Sequence, residues 1–147
     1  MTERFRNIIS VFVTVKQDNK ILLHQRKNTG WMDGYYDMPS GHLEPEETLA
    51  AAAARELKEE TDLEVALSEL RLFHVRQEYS PPGKPYIYFF FEATNWSGQP
   101  KIVEANKNHN MAFFELDKLP KMPGYIATAL ESIESRDVGM SNFFSGQ

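Results

Sequence analysis

Three glutamates, Glu56, Glu59 and Glu60, stand at i, i+3 and i+4 of a stretch that reads as helix, which places their carboxylates on one face. The like-charged pair Glu56 and Glu60 costs such a helix about 0.2–0.5 kcal/mol when nothing neutralises it. Hard divalent cations take oxygen ligands, usually one or two carboxylates with waters and substrate phosphates. The triplet could hold one or more such ions and leave a carboxylate to polarise a water. It also reads as a solvated helix face, with Arg55 and Glu59 as a supporting i,i+4 pair.

The charge distribution bears on that choice. Between Glu44 and Glu64 eight acids stand against two bases, a balance of −6, whereas the rest of the chain holds 13 acids and 14 bases. An acidic patch this concentrated repels a bare polyphosphate but suits a divalent cation that carries phosphate with it. No basic stripe of the kind that grips nucleic acid is present, so no nucleic-acid polymer is expected as a partner. The chain has no cysteine. Disulfides, thiolate zinc sites and cysteine nucleophiles are therefore excluded. No serine–histidine triad is apparent, and His24, His42, His74 and His109 are scattered. His42, in the loop just ahead of the acidic segment, reads as a surface histidine or a substrate contact.

These residues need elements to position them. At 147 residues the chain fits one domain, 1–147, with a core over about 7–135 and a short carboxy-terminal tail. Asn7–Lys16 alternates with β-branched residues and predicts a strand, Asp18-Asn19 a turn, and Ile21–Arg26 the returning strand. Asn28–Gly34 reads as a loop and Tyr35–Met38 as a short strand. Thr48 suits the N-cap of an alanine-rich helix over Leu49–Glu60, with Asp62 just beyond its end. Val65–Tyr79 predicts one or two strands, Pro81–Pro85 a loop, and Tyr86–Thr94 a strand buried on both faces. Asn95–Asn110 is polar and irregular, Met111–Leu116 predicts a last strand, and Gly124–Ser135 a carboxy-terminal helix. The tail Asp137–Gln147 is expected to be loose apart from Phe143 and Phe144, which could dock. The pattern is α/β (α+β), a central sheet with at least two helices. No apolar run approaches the roughly 20 residues needed to cross a bilayer, and the first residues lack a signal-like apolar stretch, so a cytoplasmic protein without a membrane partner is expected.

The spacing around the glutamates is more specific than the triplet. Gly41 is followed after five residues by Glu47, and after seven more by Arg55-Glu56-Leu57, Glu59-Glu60 and Leu63. This resembles the Nudix box, G-x5-E-x7-R-E-U-x-E-E-x-G-U with U aliphatic. Eight of its nine specified positions match, and Asp62 stands where the pattern has its last Gly. That Gly follows a helix end, where φ > 0 is wanted, and Asp tolerates this conformation at a cost of order 1 kcal/mol. Pro39-Ser40-Gly41 stands where relatives commonly have Pro-Gly-Gly.

The resemblance to MutT-like Nudix hydrolases covers roughly residues 7 to 133 and implies an α/β/α sandwich with a central mixed sheet. It implies that Glu56, Glu59 and Glu60 bind Mg²⁺ or Mn²⁺, that Glu60 or Glu59 helps activate water, and that the Ser40 carbonyl completes the shell. Glu47 would pair with Arg55 and fix the loop against the helix. Glu104 falls where relatives often carry a further acidic ligand, or is a surface glutamate. Arg26 matches a position that contacts substrate phosphate in some relatives, or is an exposed strand-end arginine. Tyr36 and Gly41 are expected at the substrate. Trp31, Tyr35, Tyr36, Tyr79, Tyr86 and Phe89 could stack a base, or serve as core.

The activity so implied is Mg²⁺-dependent hydrolysis of a nucleoside triphosphate to a monophosphate and pyrophosphate. The alternatives are a pyrophosphatase acting on an ADP-sugar or another nucleoside diphosphate derivative, and a non-catalytic domain that binds a nucleotide. The resemblance leaves a homodimer open. In relatives that hydrolyse oxidised dGTP, an Asn shortly after a Leu-Pro reads the base. Leu119-Pro120 is instead followed by Lys121-Met122-Pro123-Gly124.

Overall fold

In the computed structural model residues 2–80 and 83–143 are described. Pro81 and Pro82 of the expected loop, and Phe144 of the tail, lie outside them. Strands β1 (Ile8–Gln17) and β2 (Lys20–Arg26) form the expected hairpin, with Asp18 at φ 54° in its turn. Short strands β3 (Tyr36–Asp37) and β4 (Ser40–His42) precede helix α1 (Leu49–Thr61). After a 3₁₀ turn at Leu67–Glu69 come β5 (Leu70–Ser80), β6 (Lys84–Ala93) and β7 (Asn108–Glu115). Helix α2 (Gly124–Leu130) and strand β8 (Gly139–Asn142) follow.

The strands make one mixed sheet in the order β3-β2-β1-β6-β5-β8, with β4 added on β1 and β7 on β2. Side-chain alternation sends β1 and β6 to two cores, one on each face. Val11, Val13, Val15, Phe91 and Ala93 pack with Ala52, Ala53 and Leu57 of α1. Phe12, Tyr88 and Phe90 pack on the opposite side with Ile126, Ala129, Leu130 and Ile133. Burial on both faces is what the unbroken apolar run of β6 encodes. Leu57, fully buried, contributes about 1.5–3 kcal/mol by leaving water.

The site depends on how one edge of β1 is shared. Near the hairpin, Lys16 and Gln17 pair with Ile21 and Lys20 of β2. Farther back, Ser10, Val11 and Phe12 pair with β4 instead. Beyond the hairpin β2 diverges from β1 and takes β3 and β7 as neighbours, pairing His24 with Asp37 and Arg26 with Asn108.

Several boundaries differ from the sequence reading. Ser40–His42 is a strand because β1 offers it a free edge. The helix expected to run to Ser135 ends its α-turns at Leu130, and i→i−3 bonds from Glu131, Ser132, Ile133 and Ser135 carry the chain on as tighter turns. Gly139–Asn142, expected to be loose, is a parallel edge strand on β5. Phe143 docks edge-on against Tyr79 at 4.7 Å between centroids.

Candidate active site

Helix α1 is capped at both ends by its own sequence. Thr48 Oγ1 accepts from the Ala51 N–H at 3.1 Å, and Asp62 takes the left-handed conformation at φ 64° while its N–H donates to the Lys58 carbonyl. Asp62 also pairs with Lys58 at 2.8 Å and Lys101 at 3.2 Å, contacts a glycine could not make. The next orphan carbonyls of α1 are met by the following loop. Lys101 N–H donates to Thr61 and Val103 N–H to Glu60. This capping of the helix end brings Glu104 towards the glutamates.

On one turn of α1, Glu56, Glu59 and Glu60 border a polar cavity of about 640 Å³, together with His24, Arg26, Asn28, Thr29, Asp37, Ser40, His42, Glu104, Lys107 and Asn108. Five carboxylates thus face two cations across it. Glu60 is the most enclosed of the helix glutamates, and its Oε2 accepts from the Ser40 N–H at 2.8 Å. Burial pushes its carboxyl well above the usual range, the Ser40 bond opposes that, and the charges of Glu56, Asp37 and Glu104 add to it. Glu56 is also raised, chiefly by burial, against the pull of Arg55. The Glu59 side chain is 54% exposed.

Arg55 organises the rest of the loop. It forms a two-pronged pair with Glu47, Nε to Oε2 at 2.7 Å and Nη2 to Oε1 at 2.9 Å. It also donates to Glu56 at 2.8 Å and to the His42 carbonyl at 3.1 Å. The Arg55 hydrogen bond is the main reason the Glu47 carboxyl falls to about 2. Gly41 lies under this assembly. A Cβ built on it would overlap the carboxyl carbon and both oxygens of Glu56, so glycine leaves room for that carboxyl group where it stands and is not called for by backbone conformation.

Six of the site residues expected from sequence line the cavity: Glu56, Glu59, Glu60, Ser40, Glu104 and Arg26. Arg55, Glu47 and Gly41 stand behind it. Ser40 meets Glu60 through its amide. Arg26 is heavily committed: it pairs with Asp37 at 2.9 Å and donates to the Trp31 carbonyl at 2.7 Å and to Thr29. It therefore ties down the loop 28–34 as well as bordering the cavity. Tyr36 is not placed at the cavity. Successive residues of β3 point to opposite faces, and Tyr36 packs edge-on against Phe114 while Asp37 borders the cavity.

Sequence reasoning missed His24, Asp37, Lys107 and Asn108. The signal for His24 was present, since it lies two residues before Arg26 on one strand and so shares its face. The others arrive through strand register and a long loop, which no local pattern encodes.

Among the described residues no three histidine or acidic side chains are drawn together tightly enough to hold an ion as they stand. Glu56 is turned onto Arg55 and Glu60 onto the Ser40 amide. The donor set nonetheless fits a hard divalent cation, being carboxylate oxygens in excess of positive charge, two of which, on Glu56 and Glu60, are raised chiefly by burial. No helix among the described residues is long and apolar enough to cross a membrane.

The sequence profile of the NUDIX domain matches residues 4–133. An ADP-ribose pyrophosphatase from Methanocaldococcus jannaschii is 33% identical over 114 residues, covering 78% of this chain and 65% of that protein. The NAD-capped RNA hydrolase NudC of Vibrio atlanticus is 32% identical over 127 residues, covering 85% of this chain and 44% of that protein. The chain thus spans less than two thirds of the length of either relative. The crystal structure of a MutT NUDIX hydrolase from Burkholderia pseudomallei shares the fold, with a TM-score of 0.80 at 24% identity over 88% of this chain and 99% of that one. With eight of nine box positions on the loop and helix that border the cavity, and a profile match over nearly the whole sheet, the chain belongs to the NUDIX family.

Proposed function

We propose that this chain hydrolyses a phosphoanhydride bond in a nucleoside diphosphate linked to a further group, releasing a nucleoside monophosphate. The observation that carries this reading is the gathering of five carboxylates on one polar cavity, with Glu56 and Glu60 raised by burial. Members of the family generally use divalent metal ions, and Glu56, Glu59 and Glu60 would hold Mg²⁺ or Mn²⁺ here, with Glu104 and Ser40 as supplementary donors. When bound, such an ion supplies charge neutralisation at phosphoryl oxygens and acidifies water.

The chain's own residues do the remaining work. Glu60, whose enclosed carboxyl holds a proton more readily than an exposed one, accepts the proton of the attacking water, and Glu59 is the alternative base. The water oxygen bonds to phosphorus as the bridging P–O bond breaks, and the leaving phosphate takes the electron pair. Arg55, clamped by Glu47, holds Glu56 and the loop in position. Lys107 and Arg26 give the opposite wall its positive charge for an anionic substrate.

A nucleoside triphosphate, yielding pyrophosphate, is the first reading of the substrate. ADP-ribose is the second, favoured by the relative from M. jannaschii. Incubation with Mg²⁺ or Mn²⁺ and quantitation of pyrophosphate and ribose 5-phosphate separates them. Pyrophosphate from one triphosphate supports the first, and AMP with ribose 5-phosphate supports the second. Inorganic phosphate as the sole product overturns both.

A further inference from the structure

The wall opposite the glutamates contains polar groups that the proposed hydrolysis does not use. His24 is 4% exposed and Asn108 7%, and both border the cavity. Strand register brings them together, because β2 pairs with β3 at His24 and with β7 at Arg26 and Asn108. His24 Nδ1 is buried without a hydrogen-bond partner, the one such side-chain atom among the described residues. Asn108 is held at the cavity by its backbone N–H, which donates to the Glu104 carbonyl.

A buried polar group left unpaired costs free energy that an apolar side chain of the same shape would not, so each one in a native structure needs an explanation. Phenylalanine would fill the His24 site without that cost. Burial and the nearby Arg26 hold the imidazole pKa down to about 4, so the ring is neutral at pH 7. Nδ1, the orphaned nitrogen of a ring that borders the cavity, is the atom that a bound ligand group would satisfy. A neutral imidazole and a primary amide together offer donors and acceptors without charge. They sit beside Lys107 and the carboxylates, which are the charged part of the same cavity.

We propose that His24 and Asn108 form the subsite that reads the uncharged hydrogen-bonding part of a nucleotide, its base edge or its ribose hydroxyls, next to the charged phosphate site. This rests on the nucleotide reading above but does not require turnover. A site built to hydrogen-bond such groups discriminates strongly against ligands that lack them, because its own polar groups are then left unpaired.

The test is equilibrium titration of wild type, His24→Phe and Asn108→Ala with AMP, GMP, CMP, UMP, their 2′-deoxy counterparts and inorganic pyrophosphate. Wild type should prefer at least one monophosphate. Each variant should weaken that binding by about tenfold, as expected for loss of one buried hydrogen bond, and leave pyrophosphate binding unchanged. Loss of preference among bases assigns the subsite to the base edge, and loss of preference for ribo over deoxy assigns it to the sugar. His24→Phe should melt no lower than wild type, because it removes an unpaired buried nitrogen. Asn108→Ala, at a strand end, gives an independent reading if the first variant misfolds. Monophosphate affinities unchanged in both variants, monophosphate and pyrophosphate affinities falling together, or no monophosphate binding by wild type would each overturn the proposal. Binding as described with no hydrolysis of any nucleotide would sink the catalytic reading and leave this one standing.

Discussion

Replacing Gly41 with alanine is a sharp probe of the site, because the atoms nearest the new methyl group all belong to Glu56, a proposed metal ligand. The added Cβ would overlap the Glu56 carboxyl group, whereas ordinary non-bonded contact needs roughly 3.5 Å. Glu56 must therefore swing away by more than about 1 Å. It then loses the 2.8 Å hydrogen bond from Arg55, worth roughly 1.5–3 kcal/mol for a charged pair. Gly41 is not at positive φ, so alanine returns about 0.4–1 kcal/mol by restricting the unfolded chain. The net loss is about 1–2 kcal/mol, or a fall in Tm of roughly 3–8 °C for a chain of this size. Activity should suffer far more, with kcat/KM falling about 100-fold as a catalytic group is misplaced by an ångström. A double-mutant cycle read by thermal melting and steady-state kinetics checks the cause. In a Glu56→Ala background the clash is gone, so Gly41→Ala should cost less than about 0.5 kcal/mol and bring no further loss of rate. If the two substitutions add, in stability or in activity, Gly41 does not act through Glu56 and the reasoning is wrong.

Other perturbations separate the remaining roles. Burial and the neighbouring carboxylates raise Glu60 in the folded state above its ordinary 4.5, so the native state binds more protons than the unfolded one in that window. Stability of metal-free protein therefore falls as pH rises above about 4.5, and Glu60→Gln should flatten that fall in Tm. An unchanged slope would refute the assignment. Arg55→Lys keeps the charge but not the fork to Glu47, and should cost about 1–3 kcal/mol in chemical denaturation while lowering kcat. Full activity in that variant would mean that Arg55 does not position the site. Asp62→Gly removes left-handed strain and two exposed ion pairs together, so denaturation should shift by less than about 1 kcal/mol with the rate unchanged. A large rate change would give Asp62 a role beyond closing the helix.

The parts legible in sequence are those encoded by neighbours along the chain. Thr48 and Asp62 mark the ends of α1 because caps are local chemistry, and the three glutamates share a face because helical spacing is local too. The alternation of Val11, Val13 and Val15 gives β1, and the unbroken apolar run of β6 shows its burial on both faces. What escaped depends on distant partners. Ser40–His42 is too short to declare itself and becomes a strand only against β1. Gly139–Asn142 has no apolar alternation and is a strand only because β5 offers an edge. Within the site, Asp37 and Asn108 meet His24 and Arg26 through register across three strands. Tyr36 packs on Phe114 away from the cavity, and aromatic character does not encode which face of a two-residue strand is used.

The central claim, hydrolysis that depends on a divalent ion through the α1 glutamates, is tested most directly by nucleoside monophosphate release from triphosphates and ADP-ribose. It is measured for wild type, Glu56→Gln and Glu60→Gln, with EDTA and with Mg²⁺ or Mn²⁺ restored. The account predicts turnover of at least one substrate by wild type, abolished by EDTA, recovered on adding the ion, and reduced at least about 100-fold in both variants. Turnover that survives EDTA, or variants as fast as wild type, would contradict it.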